Sequence, residues 1–152
     1  MKLTTKGRYA IIAMVDVAMH AQSVPINLRK ISTRQNISLS YLEQLFSKLK
    51  NNSIVKSVRG PGGGYILSRP SHSINLLEII TAVDENIDQT QCGGAKNCNS
   101  NKPCLTHTLW INLTIKINDH LKNILLSDLV KSTRKEFSIH SSEIKNVSEF
   151  RE

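Results

Sequence analysis

Three cysteines and a histidine lie close together in the second half of the chain, and their side chains could bind a metal. Five residues separate Cys92 from Cys98, five more separate Cys98 from Cys104, and two separate Cys104 from His107. Thiolates bind soft and borderline metals, and an imidazole can complete a set of four ligands. The surrounding segment, 86–103, contains many turn-forming residues and almost no large apolar side chains. It could therefore wrap a cofactor but could not form a core.

The spacing of these four residues leaves three interpretations open. Structural zinc sites usually pair their ligands about two to four residues apart, and the wider gaps here leave room for a larger inorganic core such as a two-iron cluster. Structural zinc is the second interpretation, and free thiols with a surface histidine are the third. An odd number of cysteines makes a poor disulfide framework, and the sequence does not open with a secretory signal. We therefore expect a reducing compartment and a metal of some kind.

A second group of residues could contact DNA. The segment 36–52 is the clearest helix of the sequence, with Ser38 as its N-cap. Apolar residues recur on one side of it at helical spacing: Leu42, Leu45, Phe46 and Leu49. Polar residues recur at the same spacing on another side: Ser40, Glu43, Gln44 and Ser47. A recognition helix buries one face and places the other in the major groove, where Gln can pair with adenine and Glu with cytosine.

A glycine-rich turn follows this helix. Residues 54–58 and 65–68 alternate in polarity and predict the two strands of a hairpin. The turn RGPGGG begins with Arg59 and Gly60 and combines flexibility with a cation, which a narrow minor groove attracts. A phosphate-binding loop does not fit, because no Gly-Lys-Ser/Thr follows and the glycines lead into a strand rather than a helix.

The charge of the chain is concentrated in its first half. Residues 1–80 contain 11 Lys+Arg and 3 Asp+Glu, whereas residues 81–152 contain nine of each, so the first half carries the whole net charge of +8. This division is typical of a polyanion-binding module joined to a sensing or assembly module, and it favours nucleic acid over a membrane surface. No apolar run approaches the roughly 18–20 residues of a membrane span. No nucleophile–base set appears, so we predict no enzyme and no catalytic residues.

The order of the predicted elements indicates a mainly α protein. Helices, a short hairpin and a further helix opened by a capping box at Asn75 form a winged helix-turn-helix domain with a small β-hairpin wing. A cysteine loop and a long dimerisation helix follow. We divide the chain into a DNA-binding domain (1–84), a cluster-binding loop (85–104), dimerisation helices (105–133) and a disordered tail (134–152).

Taken together, these motifs resemble the IscR family of iron–sulfur cluster regulators, which are winged helix-turn-helix transcription regulators of proteobacteria. The resemblance runs from Met1 to about Val130. It rests on LTTKGRYA, ISLSYLEQLFSKLK, SVRGPGGGY and AVDE, together with the spacing of the cysteines and His107. The tail after about Lys131 matches nothing in that pattern, and the cysteine loop is unusually rich in asparagine.

The resemblance implies a [2Fe-2S] cluster held by Cys92, Cys98, Cys104 and His107 in a homodimer of the bacterial cytoplasm, loaded by iron–sulfur cluster assembly proteins. Cluster occupancy would report the cell's cluster supply. The regulator would act as a repressor of the cluster-assembly operon and as an activator elsewhere, because a second class of sites is bound without the cluster.

The resemblance also implies DNA contacts on a roughly palindromic operator, with Glu43 helping to discriminate the two classes of site. The residues expected at this interface are Ser38, Ser40, Tyr41, Glu43, Gln44, Arg59 and Gly60. The alternatives are a nitric-oxide- or redox-sensing regulator of the same family and a DNA-binding protein with a structural zinc.

Overall fold

The structure, a computed structural model, describes residues 4–20 and 24–149 of the 152-residue chain, with side chains as far as residue 139. Helices dominate this part, and its small sheet has two strands, as the predicted mainly α winged-helix fold requires. In chain order the elements are α1 (Thr5–His20), α2 (Leu28–Gln35), α3 (Leu39–Asn51), β1 (Val55–Val58), β2 (Gly64–Leu67), α4 (Leu76–Ala82), α5 (His107–Asn123) and α6 (Leu126–Glu149).

The helix starts follow the capping residues of the sequence. The side chain of Asn27 accepts a hydrogen bond from the backbone N–H of Arg29 at 2.8 Å and begins α2. Ser38 accepts one from the backbone N–H of Tyr41 at 3.3 Å and begins α3, as predicted. Asn75 and Glu78 form the reciprocal capping box that begins α4. Local polar chemistry thus sets where α2, α3 and α4 begin.

Helices α1 to α4 and the hairpin enclose one apolar core. The predicted stripe of α3 is fully buried, and Met14 of α1 and Ile31 of α2 pack against the same core. The strands β1 and β2 pair antiparallel, with Val55 opposite Leu67 and Val58 opposite Gly64. None of the helices in the described ranges combines the length and the apolar character of a bilayer-crossing segment.

The hairpin is joined to the chain before α2 by two backbone hydrogen bonds. Ile26 and Tyr65 exchange them at 2.9 Å each. A Cβ atom on Gly64 would lie 2.4 Å from the carbonyl oxygen of Ile26, so only glycine permits this approach. The base of the wing is therefore fixed on the helical body, while its tip extends away.

The acidic residue in the apolar helix α1 is buried and paired. The carboxylate of Asp16, 2% exposed, accepts hydrogen bonds from the guanidinium of Arg34 and from the side-chain amide of Gln35. Burial alone would raise the pKa of Asp16, but the bonds from Arg34 and Gln35 outweigh it and hold the pKa below its ordinary value. The pair joins α1 to the end of α2.

The C-terminal segment differs from the prediction. A disordered tail was expected over 134–152, but α6 continues to Glu149, and only residues 150–152 lie outside the described part. The helix begins with Leu126 buried in the main core, and Arg134 donates a hydrogen bond to the carbonyl oxygen of Met19 on α1 at 3.4 Å. The polar composition of residues 134–149 led to the prediction of a disordered tail.

A carboxylate just after α4 caps the N-terminus of α1. Glu85, 9% exposed, accepts hydrogen bonds from the backbone N–H groups of Thr4 at 3.1 Å and Gly7 at 3.2 Å, and from the hydroxyl of Thr4. Helix N-termini have unpaired N–H groups and a partial positive charge, so a carboxylate is well placed there. Burial alone would raise the pKa of Glu85, but these bonds outweigh it and lower the pKa below its ordinary value.

Glu85→Gln should lower the free energy of unfolding at pH 7 by about 1–2 kcal/mol, because a neutral amide is a weaker partner for the helix N-terminus. Since the pKa of Glu85 is lowered in the folded state, its stabilisation is present above the ordinary value of 4.5 and is lost as the pH falls through the lowered pKa. Urea unfolding of both proteins should therefore show a difference in the free energy of unfolding that becomes smaller as the pH falls. Glu136→Gln, on the exposed side of α6, is the control; equal stability of Glu85→Gln and the unmodified chain at pH 7 would contradict this.

Candidate metal centre and nucleic-acid interface

The polar side of α3 is not covered by any of the residues that the structure describes. Ser40, Glu43 and Gln44 are exposed, and they lie opposite the buried stripe that fixes the helix on the core. Ser38 is also exposed and is occupied as the N-cap of the helix. The helix therefore presents short polar side chains at its N-terminal end, the geometry that entry into a major groove requires.

Tyr41 lies at the edge of this surface and is only partly exposed. Its ring packs edge-on against the ring of Tyr9, with centroids 5.9 Å apart and planes at 83°. Edge-to-face packing of two aromatic rings is a favourable geometry. Tyr41 thus connects the start of α3 to α1 and leaves its remaining surface on the side of Ser40.

The wing carries Arg59 and Gly60 at its exposed tip. A hydrogen bond from the backbone N–H of Gly63 to the carbonyl oxygen of Gly60, at 2.9 Å, closes the turn. Gly60 has a φ of +101°, and no atom lies within 4 Å of where its Cβ would be, so glycine is required here by the backbone and not by crowding. The tip leaves the Arg59 cation beside open space.

The metal-binding candidates converge at the start of α5. The Sγ atoms of Cys92 and Cys98 lie 3.6 and 3.5 Å from Nδ1 of His107, and the three donor atoms lie within 4.8 Å of one another. His107 is the first residue of α5 and is 6% exposed. The described part of the chain offers no hydrogen-bond partner to its other nitrogen, Nε2, which is also buried.

Cys104 lies beside this group of three. Its backbone N–H donates to Sγ of Cys98 at 3.0 Å, and its own Sγ lies 3.8 Å from the hydroxyl of Thr106. Cys98, Cys104 and His107 line one cavity of about 200 Å³ together with Thr90, Gln91, Thr106 and Trp110. The structure therefore brings all four candidates to one place, with three closely grouped and the fourth adjacent.

The thiols of this group differ in their acidity. Burial raises the pKa of Cys92, but backbone N–H groups, first those of Lys96 and Gly94, outweigh it, so that the pKa lies below its ordinary value. The backbone N–H of Cys104 lowers the pKa of Cys98, but burial and the two neighbouring thiols outweigh that effect and raise it. The Cys98 thiol and the Thr106 hydroxyl likewise lower the pKa of Cys104, and the thiolate is the form that binds a metal.

The spacing of the sequence did not reveal which residues support this loop. Gln89, Thr90 and Thr106 hydrogen-bond within it or to α5, and Trp110 and Thr114 lie on α5 itself. One signal was available: Trp110 and Thr114 follow His107 by three and seven residues, which places them on the same side of a helix.

Known proteins of similar sequence are transcription regulators. Residues 3–132 match the Rrf2 family, described as iron-dependent transcriptional regulators. The HTH-type transcriptional regulator IscR of Vibrio campbellii is 57% identical over 131 residues, which cover 86% of this chain and 78% of that protein. IscR of Yersinia pseudotuberculosis is 54% identical over 132 residues, which cover 87% of this chain and 80% of that protein.

Solved structures agree with these matches. CymR, the global cysteine regulator of B. subtilis, superimposes with a TM-score of 0.74 at 31% identity, covering 87% of this chain and 98% of CymR. IscR of T. potens gives a TM-score of 0.72 at 35% identity and covers 88% of each chain. With the winged-helix fold and the site already described, these matches establish that the chain belongs to the Rrf2 family of transcriptional regulators, and is not an enzyme.

Proposed function

We propose that this protein is a [2Fe-2S]-dependent transcription regulator that senses iron–sulfur cluster status and represses the cluster-assembly operon. The observation that carries the proposal is the convergence of Cys92, Cys98 and His107, with Cys104 adjacent, on a chain that also has a complete winged-helix domain. Relatives that are 54–57% identical are named IscR. The proposed setting is the bacterial cytoplasm, with assembly proteins as cluster donors.

The residues present fit such a cluster. Thiolates are its usual ligands, and imidazole replaces thiolate in clusters of higher potential. The loop 85–104 would supply Cys92, Cys98 and Cys104, and α5 would supply His107 through Nδ1, which faces the first two thiols. When bound, the cluster would supply a redox-active and labile centre, and this chain's own part is to hold four donors in a partly exposed, turn-rich loop.

A structural zinc site is the second candidate function of the loop. Three donor atoms within 4.8 Å of one another also suit a single tetrahedral ion, with Cys104 as a fourth ligand. In that case the metal would stabilise the loop, and the protein would not sense iron–sulfur cluster status through it. The metal content of the purified protein distinguishes the two.

For DNA binding we propose that α3 enters the major groove and that the wing contacts the minor groove. The exposure of Ser40, Glu43 and Gln44, and of Arg59 and Gly60 at the wing tip, supports this placement. Ser38 and Tyr41, at the start of α3, would contact the sugar–phosphate backbone of the DNA beside the bases. Glu43 brings a carboxylate among phosphates and tolerates only bases that donate to it. We propose that Glu43 discriminates two classes of operator.

For assembly we propose that residues 105–133 form the interface of a homodimer. Three apolar side chains of α5 stay exposed within the described part of the chain: Leu109 is 58% exposed, Ile115 51% and Trp110 39%. These three side chains project from different sides of α5, and exposed apolar surface of this kind favours association with another copy. A twofold dimer would present two recognition helices to a roughly palindromic operator.

Protein purified without oxygen from iron-replete cells should absorb visible light through charge transfer and contain about two irons and two labile sulfides per chain. His107→Ala should alter this spectrum and raise the loss of iron, because it removes a ligand at the loop. His120→Ala, exposed on the same helix, should keep the spectrum and is the control. Colourless protein with stoichiometric zinc would favour the second candidate and contradict the proposed function.

Arg59→Ala should weaken binding to the control region of the cluster-assembly operon by about 1–3 kcal/mol, because the wing loses its cation at the minor groove. Lys131→Ala removes the same charge from the exposed side of α6 and should change the affinity little. Fluorescence anisotropy over a range of salt concentrations measures both. Unchanged affinity of Arg59→Ala, or binding that does not weaken with salt, would contradict the placement of the wing.

The unmodified protein should be a dimer with twice the chain mass of 17.0 kDa. Ile115→Glu should make it a monomer, because burying a carboxylate against a second apolar helix is energetically costly. Val24→Glu, at an apolar residue that is 62% exposed near the start of α2, is the matched control and should leave the mass unchanged. Sedimentation equilibrium gives both masses. A dimer that persists in Ile115→Glu would place the interface elsewhere.

A further inference from the structure

The first part of the ligand loop is organised around one carboxylate. Asp88 accepts hydrogen bonds from the backbone N–H of Thr90 at 2.8 Å and from its hydroxyl at 3.0 Å. The same hydroxyl accepts one from the backbone N–H of Gly94 at 2.8 Å. Cys92 lies midway between Thr90 and Gly94, so these bonds close the turn that carries it.

A hydroxyl on α5 holds this turn against the helix. The backbone N–H of Gln89 donates to the hydroxyl oxygen of Thr114 at 3.0 Å. That hydroxyl has one proton to donate, and it has two acceptors within reach: the carbonyl oxygen of Trp110 at 2.9 Å and the carboxylate of Asp88 at 3.4 Å. The oxygen of Thr114 is therefore the acceptor that the loop uses.

Thr114 lies two helical turns after His107 and on the same side of α5. The loop consequently touches one helix at two points, through Gln89 at Thr114 and through the thiols at His107. Because the helix is rigid, the contact between Gln89 and Thr114 sets the distance between Cys92 and the imidazole of His107. Neither contact depends on α3 or on the wing.

We propose that Asp88 and Thr114 are positioning residues of the metal centre: Asp88 shapes the turn that carries Cys92, and Thr114 fixes that turn at a set distance from His107. The identity of the metal rests on the proposed function, whereas the hydrogen bonds of the loop do not. Groups that orient metal ligands without touching the metal commonly change its retention by large factors when they are removed.

The test compares Thr114→Val, which keeps the shape and removes the hydroxyl, with Thr114→Ser, which keeps the hydroxyl. Thr33→Val is the matched control, because the hydroxyl of Thr33 makes the same bond to a carbonyl one turn earlier, on the exposed side of α2. Asp88→Ala tests the carboxylate. Amide hydrogen exchange is measured on the metal-free full chain, and release of iron to a chelator on the protein purified without oxygen.

In Thr114→Val the amide of Gln89 should exchange about five- to tenfold faster, since its acceptor is gone. In Asp88→Ala the amides of Thr90 and Gly94 should also exchange about five- to tenfold faster. Both Thr114→Val and Asp88→Ala should release iron several-fold faster than the unmodified chain. Thr114→Ser and Thr33→Val should behave as the unmodified chain.

Three results would overturn the proposal: unchanged exchange in Thr114→Val, faster exchange with unchanged metal release, or a Thr114→Ser variant as impaired as Thr114→Val. If the unmodified protein instead carries zinc, the proposed function fails, but release of zinc to a chromophoric chelator tests the same positioning in the same variants.

Discussion

The structure depends on one carboxylate that joins the two ends of its DNA-binding unit. Glu85 follows α4, yet its bonds go to Thr4 and Gly7 at the start of α1. A Cβ on Gly7 would lie 3.2 Å from the Glu85 side chain, so this position favours glycine. The neighbouring Asp84 forms an ion pair with Lys48 of α3, and its carboxylate accepts a hydrogen bond from the Lys48 ammonium group at 2.6 Å. The point at which the chain leaves the domain is thus connected to α1 and to α3.

This constraint determines where the metal centre can lie. The ligand loop starts immediately after Glu85 and ends at His107 on α5, so both of its ends are attached to ordered structure. The loop itself has little apolar surface and depends on hydrogen bonds, among them those around Asp88 and Thr114. A short stretch of chain, Asp84 and Glu85, is hydrogen-bonded to α1 and α3 and therefore connects the ligand loop to α3.

Much of this arrangement could be predicted from local chemistry. Ser38 and the capping box at Asn75 mark helix starts through their own side chains, and the apolar spacing of α3 specifies its buried face. The approach of Cys92 and Cys98 to His107 followed from ligand types and spacing. The roles of Glu85 and Thr114 could not be predicted, because their partners are 78 and 25 residues away. The length of α6 was missed because its composition is polar, although its apolar residues recur at helical spacing.

The burial of Leu126 in the main core has a consequence for the order in which the protein folds. Its backbone N–H bonds the carbonyl oxygen of Ile74 at 2.8 Å, and its side chain is 0% exposed among residues of the first half. A chain leaves the ribosome from its N-terminus. Every cysteine of the loop, and His107, has therefore been synthesised before the last piece of the core arrives. On a nascent chain, all four candidate ligands are therefore present before the DNA-binding domain has closed.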